Sequence, residues 1–174
     1  KEGFSFGGWF TDDETFENEF TGTTPVTADT TVYAKWTAEI YTVTFVDHDG
    51  TKLKEQAVEH GSAAIAPDEP EREGYTFTEW DVDFSNVTED LTVTATYTIN
   101  GYNLTYTAGE NGSIEGETEQ TVNYGSDGTE VTAVADEGYT FVEWSDGIKT
   151  ATRQDVNVDE DIMVSATFAI NTYT

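Results

Sequence analysis

The 174-residue chain carries 35 acidic and 7 basic side chains, a net charge of -28 spread over its whole length, and no cysteine. Such a surface repels nucleic-acid phosphates and anionic lipid headgroups, and the lack of thiols excludes disulfides, thiolate metal sites and a cysteine nucleophile. Aromatic residues make up 13% of the chain, enough to build cores, so the composition reads as folded rather than disordered.

Self-similarity organises everything else. Gly3-Phe4-Ser5-Phe6-Gly7-Gly8-Trp9 returns as Gly74-Tyr75-Thr76-Phe77-Thr78-Glu79-Trp80 and again as Gly138-Tyr139-Thr140-Phe141-Val142-Glu143-Trp144. After a variable insert, Asp29-Thr30-Thr31-Val32-Tyr33-Ala34-Lys35-Trp36 matches Asp90 to Tyr97 and Asp161 to Phe168. This divides the chain into the C-terminal half of a truncated repeat at 1–38, complete modules at 39–100 and 101–170, and the start of a further repeat at 171–174. At roughly 60 to 70 residues each, such modules sit near the lower limit for independent folding, so each aromatic side chain matters.

In the first stretch Phe4 and Phe6 alternate as in a strand. Trp9 breaks that parity, and a bulge at Gly7-Gly8 would restore it to the face of Phe6. Residues 11–28 are an acidic loop whose Phe16 and Phe20 tuck back onto the sheet, and Thr30 to Trp36 is a strand. In the second stretch Tyr41, Val43 and Phe45 mark strand one, Asp49-Gly50 a tight turn, and Thr51 to Glu59 the return. The connector 62–74 holds Pro67 and Pro70 and leaves no room for a long helix. Tyr75 to Trp80 is strand three. Leu91 to Tyr97 is strand four, with Leu91, Val93, Ala95 and Tyr97 inward against a threonine row.

The third stretch repeats the plan. Tyr102, Leu104 and Tyr106 open it, Asn111-Gly112 and Asp127-Gly128 make turns, and Val131 to Ala135 is a strand. Tyr139 to Trp144, the Asp146-Gly147 turn and a final strand with Ile162, Val164, Ala166 and Phe168 inward complete it. Junctions at 98–101 and 169–172 pass from one strand to the next almost without linker, which predicts an elongated, semi-rigid rod.

Chemistry-bearing motifs are few. The fixed position of Trp9, Trp80 and Trp144 after a strand motif predicts core plugs, and Trp36 occupies a repeated core position with Tyr97 and Phe168. Asp47-His48-Asp49-Gly50 places its glycine too early for an EF-hand, although a calcium site of another type remains an alternative for the acidic loops, including Asp81 and Asp83. His48 and His60 have no partner histidine at ligand spacing, and no Ser-His-Asp set assembles. No Gly-Lys-Ser/Thr follows any glycine turn. The sequence therefore assigns no catalytic residue, no cofactor-binding residue, no metal ligand and no cofactor. It contains no run of 18 apolar residues and no signal peptide.

The pattern Gly-aromatic-x-Phe-x-x-Trp, followed after a variable loop by Thr-Val-x-Ala-x-aromatic, resembles the Listeria–Bacteroides repeat, also called the internalin B-type B-repeat. Residues 3–36 match it most fully. Residues 101–170 resemble its divergent form, and residues 40–100 share the Val46-Asp47-His48-Asp49-Gly50 turn with mucin-binding-protein repeats. The resemblance implies a mainly β protein of tandem β-grasp-like modules, with immunoglobulin-like sandwich modules as the alternative. It implies a non-catalytic stalk, spacer or adhesive segment of an extracellular bacterial surface protein. The alternative function is a module that recognises a glycan or a host protein through loops 11–28, 61–73 and 145–160.

Implied partners are a host protein, a glycan or a cell-wall component, with no nucleic acid and no membrane insertion. Residues 1–38 lack a first hairpin, which predicts an open sheet edge, lower stability at that end, and a monomer unless another chain completes the repeat.

Overall fold

Threonine-rich alternation gives only strands, and every regular element among the described residues, 1–172, of the computed structural model is one. The expected start of a further repeat at 171–174 lies partly outside the described residues. By compactness the chain divides into Lys1–Pro70 with Thr78–Thr96, and Glu71–Phe77 with the chain from Tyr97.

The first sheet holds β1 (Phe4–Phe10), β2 (Glu19–Phe20) and β3 (Tyr33–Ala38), antiparallel, in the order β2-β1-β3. Its β1–β3 register shifts between Phe6 and Trp9. That is the bulge expected at the glycine pair, and it brings the Trp9 ring to 5.5 Å from Phe6. The strand expected from Thr30 begins instead at Tyr33, because its partner β1 ends at Phe10, paired with Tyr33. The Thr30 hydroxyl meanwhile donates to the Ala28 carbonyl at 2.9 Å. Phe16 folds back edge-on to Phe10 at 5.5 Å, and Phe20 pairs with Trp9. β3 is terminal in its sheet, the open edge that the sequence predicts.

The second sheet holds β4 (Ile40–Val46), β5 (Lys52–Glu59), β6 (Tyr75–Trp80) and β7 (Leu91–Ile99) in the order β5-β4-β7-β6. β4 and β5 form an antiparallel hairpin, whereas β4 and β7 run parallel, with Val43 opposite Leu91 and Val46 opposite Thr94. A 2-1-4-3 order with a parallel central pair is β-grasp-like. It rules out the immunoglobulin alternative, whose sheets are antiparallel.

A parallel pair needs a crossover, usually helical. Here the proline-bearing connector makes it in extended form. Backbone bonds fix it: Gly61 N donates to Val87 O at 2.7 Å, Val87 N to Ser62 O and Ala64 N to Phe84 O, both at 2.9 Å. The core beneath is Val43, Phe45, Val58, Ala64, Val87 and Val93. Burying each of the larger apolar side chains stabilises by about 1.5–3 kcal/mol.

The third group repeats this arrangement and adds to it. β8 (Gly101–Ala108), β10 (Glu119–Asn123), β12 (Tyr139–Trp144) and β14 (Ile162–Ile170) form the sheet β10-β8-β14-β12, with β8 and β14 parallel. β9 (Gly112–Glu115), β11 (Val131–Ala135) and β13 (Thr152–Arg153) form a second sheet, β13-β11-β9. Leu104, Tyr106, Val131, Ala133, Trp144, Val158, Val164 and Ala166 make its core.

The turn expected at Asp127-Gly128 is displaced to Tyr124-Gly125. Gly128 lies in the extended connector, where a Cβ would stand 2.5 Å from Leu104 Cδ1. Close approach, not turning, requires that glycine.

Candidate functional site

The groups able to do chemistry gather at the turns. In the β4–β5 turn, Asp47, His48 and Asp49 bring one ligand atom each within 4.8 Å of one another. The carboxylates serve the turn. Thr51 N donates to Asp49 Oδ1 at 2.9 Å, which holds the Asp49 carboxyl below its ordinary range, and Asp47 Oδ1 accepts His48 N at 2.7 Å. Asp81 and Asp83 do likewise, accepting from Thr94 N at 2.6 Å and from Ser85 N at 2.9 Å. Asp47 is half-buried and Asp49, Asp81 and Asp83 are exposed, and accepting nearby backbone donors is what turn-forming aspartates do.

The tryptophans depart from expectation. Trp144 is 0% exposed and Trp80 is half-buried, but Trp9 is 47% exposed and Trp36 41%. The core-plug expectation fails for Trp9 and Trp36. Trp144 lies 6.1 Å from Tyr106 on β8, and Trp80 lies 5.1 Å from Phe45 on β4. The sheet β2-β1-β3 has no parallel first strand to bring such a ring over Trp9. Phe6, Trp9 and Trp36 pack on one another instead, with Phe6 centroids 5.5 Å and 5.6 Å from the two indoles. This aromatic face lies on strands, not on the loops where a binding surface was expected.

A buried polar network went unanticipated. Arg153, on the two-residue β13, is 6% exposed. It donates to Asp155 at 2.5 and 3.1 Å and to Asp146 at 2.9 Å, and Asp155 also accepts the Tyr106 hydroxyl at 2.6 Å. Burial and the Asp155 bond push the Tyr106 phenol well above its ordinary value. The only signal in the sequence was an arginine among 14 acidic residues in this stretch. Here the fork of Arg153 closes a core rather than a ligand site.

The repeat ends share a third device. Gly3, Gly74 and Gly138 all have positive φ, +69°, +74° and +86°. The Gly3 carbonyl accepts Glu39 N at 2.9 Å, and the Glu39 carbonyl accepts His60 N at 2.8 Å. The Gly74 carbonyl accepts Asn100 N at 2.9 Å, and the Asn100 carbonyl accepts Tyr124 N at 2.8 Å. In both cases the ring lies flat on the glycine. A Cβ on Gly3 would come within 2.0 Å of His60 Cγ, and one on Gly74 within 2.0 Å of Tyr124 Cδ1.

Mixed 2-1-4-3 sheets recurring in one chain, with a single residue between the last strand of one and the first strand of the next, define a tandem β-repeat segment. A family model described as the Listeria-Bacteroides repeat domain matches residues 1–35 and 41–101, and one described as the divergent InlB B-repeat domain matches residues 102–172. The chain belongs to the Listeria-Bacteroides repeat family, its last stretch in the divergent InlB B-repeat form.

Among its relatives, a putative membrane protein of Evansella cellulosilytica is 33% identical over 99% of this chain and 28% of that protein. Internalin H of Listeria monocytogenes is 36% identical over 67% of this chain and 22% of that protein. The chain thus spans about a quarter of the length of these relatives. Among solved structures, Streptococcal High Identity Repeats in Tandem (SHIRT) domains 3-4 from a cell surface protein align with 75% of this chain and 98% of theirs, at 16% identity and a TM-score of 0.30. Mub-RV aligns with 76% of this chain and 99% of its own, at 10% identity and a TM-score of 0.24. No helix among the described residues is long and apolar enough to cross a membrane.

Proposed function

We propose that this chain is a non-catalytic, load-bearing stalk segment of an extracellular bacterial surface protein, adhesive only through the sum of many repeats. One observation carries the reading. The strand by which the chain enters each four-stranded sheet lies parallel and hydrogen-bonded to the strand by which it leaves, β4 with β7 and β8 with β14. Tension applied along the chain therefore loads the whole ladder in shear, so its bonds resist together. A single residue separates β3 from β4 and β7 from β8, so little slack intervenes. The dense negative charge favours solubility and keeps neighbouring chains apart.

Single-molecule pulling tests this. Attachment at the chain ends is expected to unfold these sheets at several times the force required when handles at Ile40 and Glu59 peel the β4–β5 hairpin open. Equal forces in the two geometries would remove the load-bearing reading.

The exposed Phe6–Trp9–Trp36 face favours a second reading, recognition of a glycan by ring stacking. Titration of indole fluorescence with bacterial and host glycans, with and without calcium, separates the two. A saturable change lost in Trp9→Ala would establish binding, and its absence leaves the stalk.

A further inference from the structure

We propose that the β12–β14 end, centred on Gly138, is a preformed socket for the second-strand tyrosine of a further module of this same type, joined in line after Asn171. Two sockets of this construction are filled within the chain. At Gly74, the Tyr124 ring covers the glycine, its N–H reaches the Asn100 carbonyl, and the carboxylate of Glu73, the residue before the glycine, raises the Tyr124 phenol above its ordinary range. At Gly3 the same position is held by His60, edge-on to Phe4 at 5.8 Å and tilted to Tyr41 at 6.0 Å.

Gly138 repeats the fixed half of the device. Its φ is positive, its carbonyl accepts Asn171 N at 2.8 Å, and Thr140 Oγ1 donates to Asn171 Oδ1 at 2.5 Å, as Thr76 does to Asn100 at 2.7 Å. Glu137 precedes it, as Glu73 precedes Gly74. What differs is the ring. No heavy atom among the described residues stands within 4 Å of where a Gly138 Cβ would be. Beside it Ile170 is 68% exposed, whereas its counterpart Ile99 is half-buried.

A turn with positive φ explains why glycine recurs at all three positions, but not the flat ring laid on two of them. A further module of the 101–170 type carries a tyrosine at this place, as Tyr124 shows, and Glu137 stands before Gly138 as Glu73 does before Gly74. Asp136 stands where Lys1 and Arg72 lie over Phe4 and Tyr75, at 3.7 and 3.6 Å. The Gly138 socket therefore lacks the cationic lid of the other two.

The test is proton NMR on the chain and on a longer one in which residues 1–171 are continued by a second copy of residues 101–171. In the chain itself, the Gly3 and Gly74 Hα resonances are expected upfield, under ring currents, and Gly138 is not. In the longer chain Gly138 should move to the Gly74 range. Tyr→Ala at the copy's equivalent of Tyr124 should return it.

Melting gives an independent arm. Gly138→Asn tolerates the positive φ and should change the midpoint little in the original chain but lower it clearly in the longer one. An unmoved Gly138 resonance, or the same Gly138→Asn effect in both chains, overturns the proposal. This outcome is distinct from failure of the stalk reading, which the pulling geometry decides.

Discussion

Trp9 and Trp144 occupy the same place in the same motif, each after a bulge in a strand that pairs with the last strand of its unit. One is nearly half exposed and the other fully buried. The heptapeptide therefore specifies the bulge and the face, while burial is decided by whether a first strand runs parallel beside the last one. β8 brings Tyr106 and Leu104 over the final sheet, and β4 brings Phe45 and Val43. The β2-β1-β3 sheet receives nothing comparable, and β3 keeps an open edge.

The sharpest way to break this comparison is to truncate both indoles. Trp144→Ala should destabilise the β8–β14 region by about 3–5 kcal/mol, as for other fully buried aromatics. Trp9→Ala should change stability by about 1 kcal/mol or less, the range of a single aromatic pair without burial. Native-state hydrogen exchange reports the two regions separately. Comparable losses at both sites would mean that the Trp9 face is covered in solution. The same experiment should find the amides of 4–36 less protected than those of 75–97.

Arg153 comes next. The first sheet has no buried ion pair, and the last region holds one guanidinium between two carboxylates. Arg153→Leu leaves the largely buried Asp155 without its cation, while Asp146 stays at the surface, and should destabilise by about 3–5 kcal/mol, since breaking a buried pair exceeds what an intact one contributes. Arg153→Lys should recover only part, because an ammonium cannot reproduce the fork that spans both acids. Denaturant unfolding of the two variants measures this. Full recovery by lysine would show that charge alone matters.

A smaller effect, of opposite sign, is expected at the first repeat end. His60 Nδ1 is buried without a hydrogen-bond partner among the described residues. Tyr124 fills the equivalent place at Gly74, where Glu73 raises its phenol. His60→Tyr removes the orphaned nitrogen and offers a hydroxyl to Glu2, so it should stabilise by about 1 kcal/mol. A loss in thermal melting would mean that the pocket between Phe4 and Tyr41 is shaped for the smaller ring.

The sequence made the strands legible because period-2 alternation is set by one face at a time. Leu91, Val93, Ala95 and Tyr97 turn inward as the pattern requires, and the β-grasp-like order followed from family resemblance. It could not show which face would be covered, since covering depends on a strand about fifty residues away, as Val43 opposite Leu91 illustrates. The short β9 and β13 have too few residues to show a period. Nothing in the pattern around Arg153 marks it as buried. The glycine sockets were hidden because the repeat motif that Gly3, Gly74 and Gly138 open does not show what lies on them, and the rings that cover two of them come from the next stretch.

The smallest expected effect lies in the loop of the first sheet. The Asp12 carboxylate accepts from the Thr15 hydroxyl at 2.7 Å, from the backbone N–H of Thr15 at 3.0 Å and Asn18 at 3.1 Å, and from Phe16 N. The Thr15 hydroxyl first, then the Asn18 backbone, hold its pKa well below the usual carboxylate range. A folded pKa below the unfolded value of about 3.9 means a contribution that is full above that value and fades as pH falls toward the folded pKa. Asp12→Ala should therefore lower protection of the 11–20 amides at pH 7, with a gap from the parent that narrows below about pH 4. The equivalent loops near Asp83 and Asp146 should be untouched. Phe16 makes the outcome informative, because its positive φ and its place against Phe10 depend on this carboxylate. If the gap stays constant with pH, the loop is held by the Phe10–Phe16 contact, and the first sheet resembles the other two more closely than its exposed tryptophans suggest.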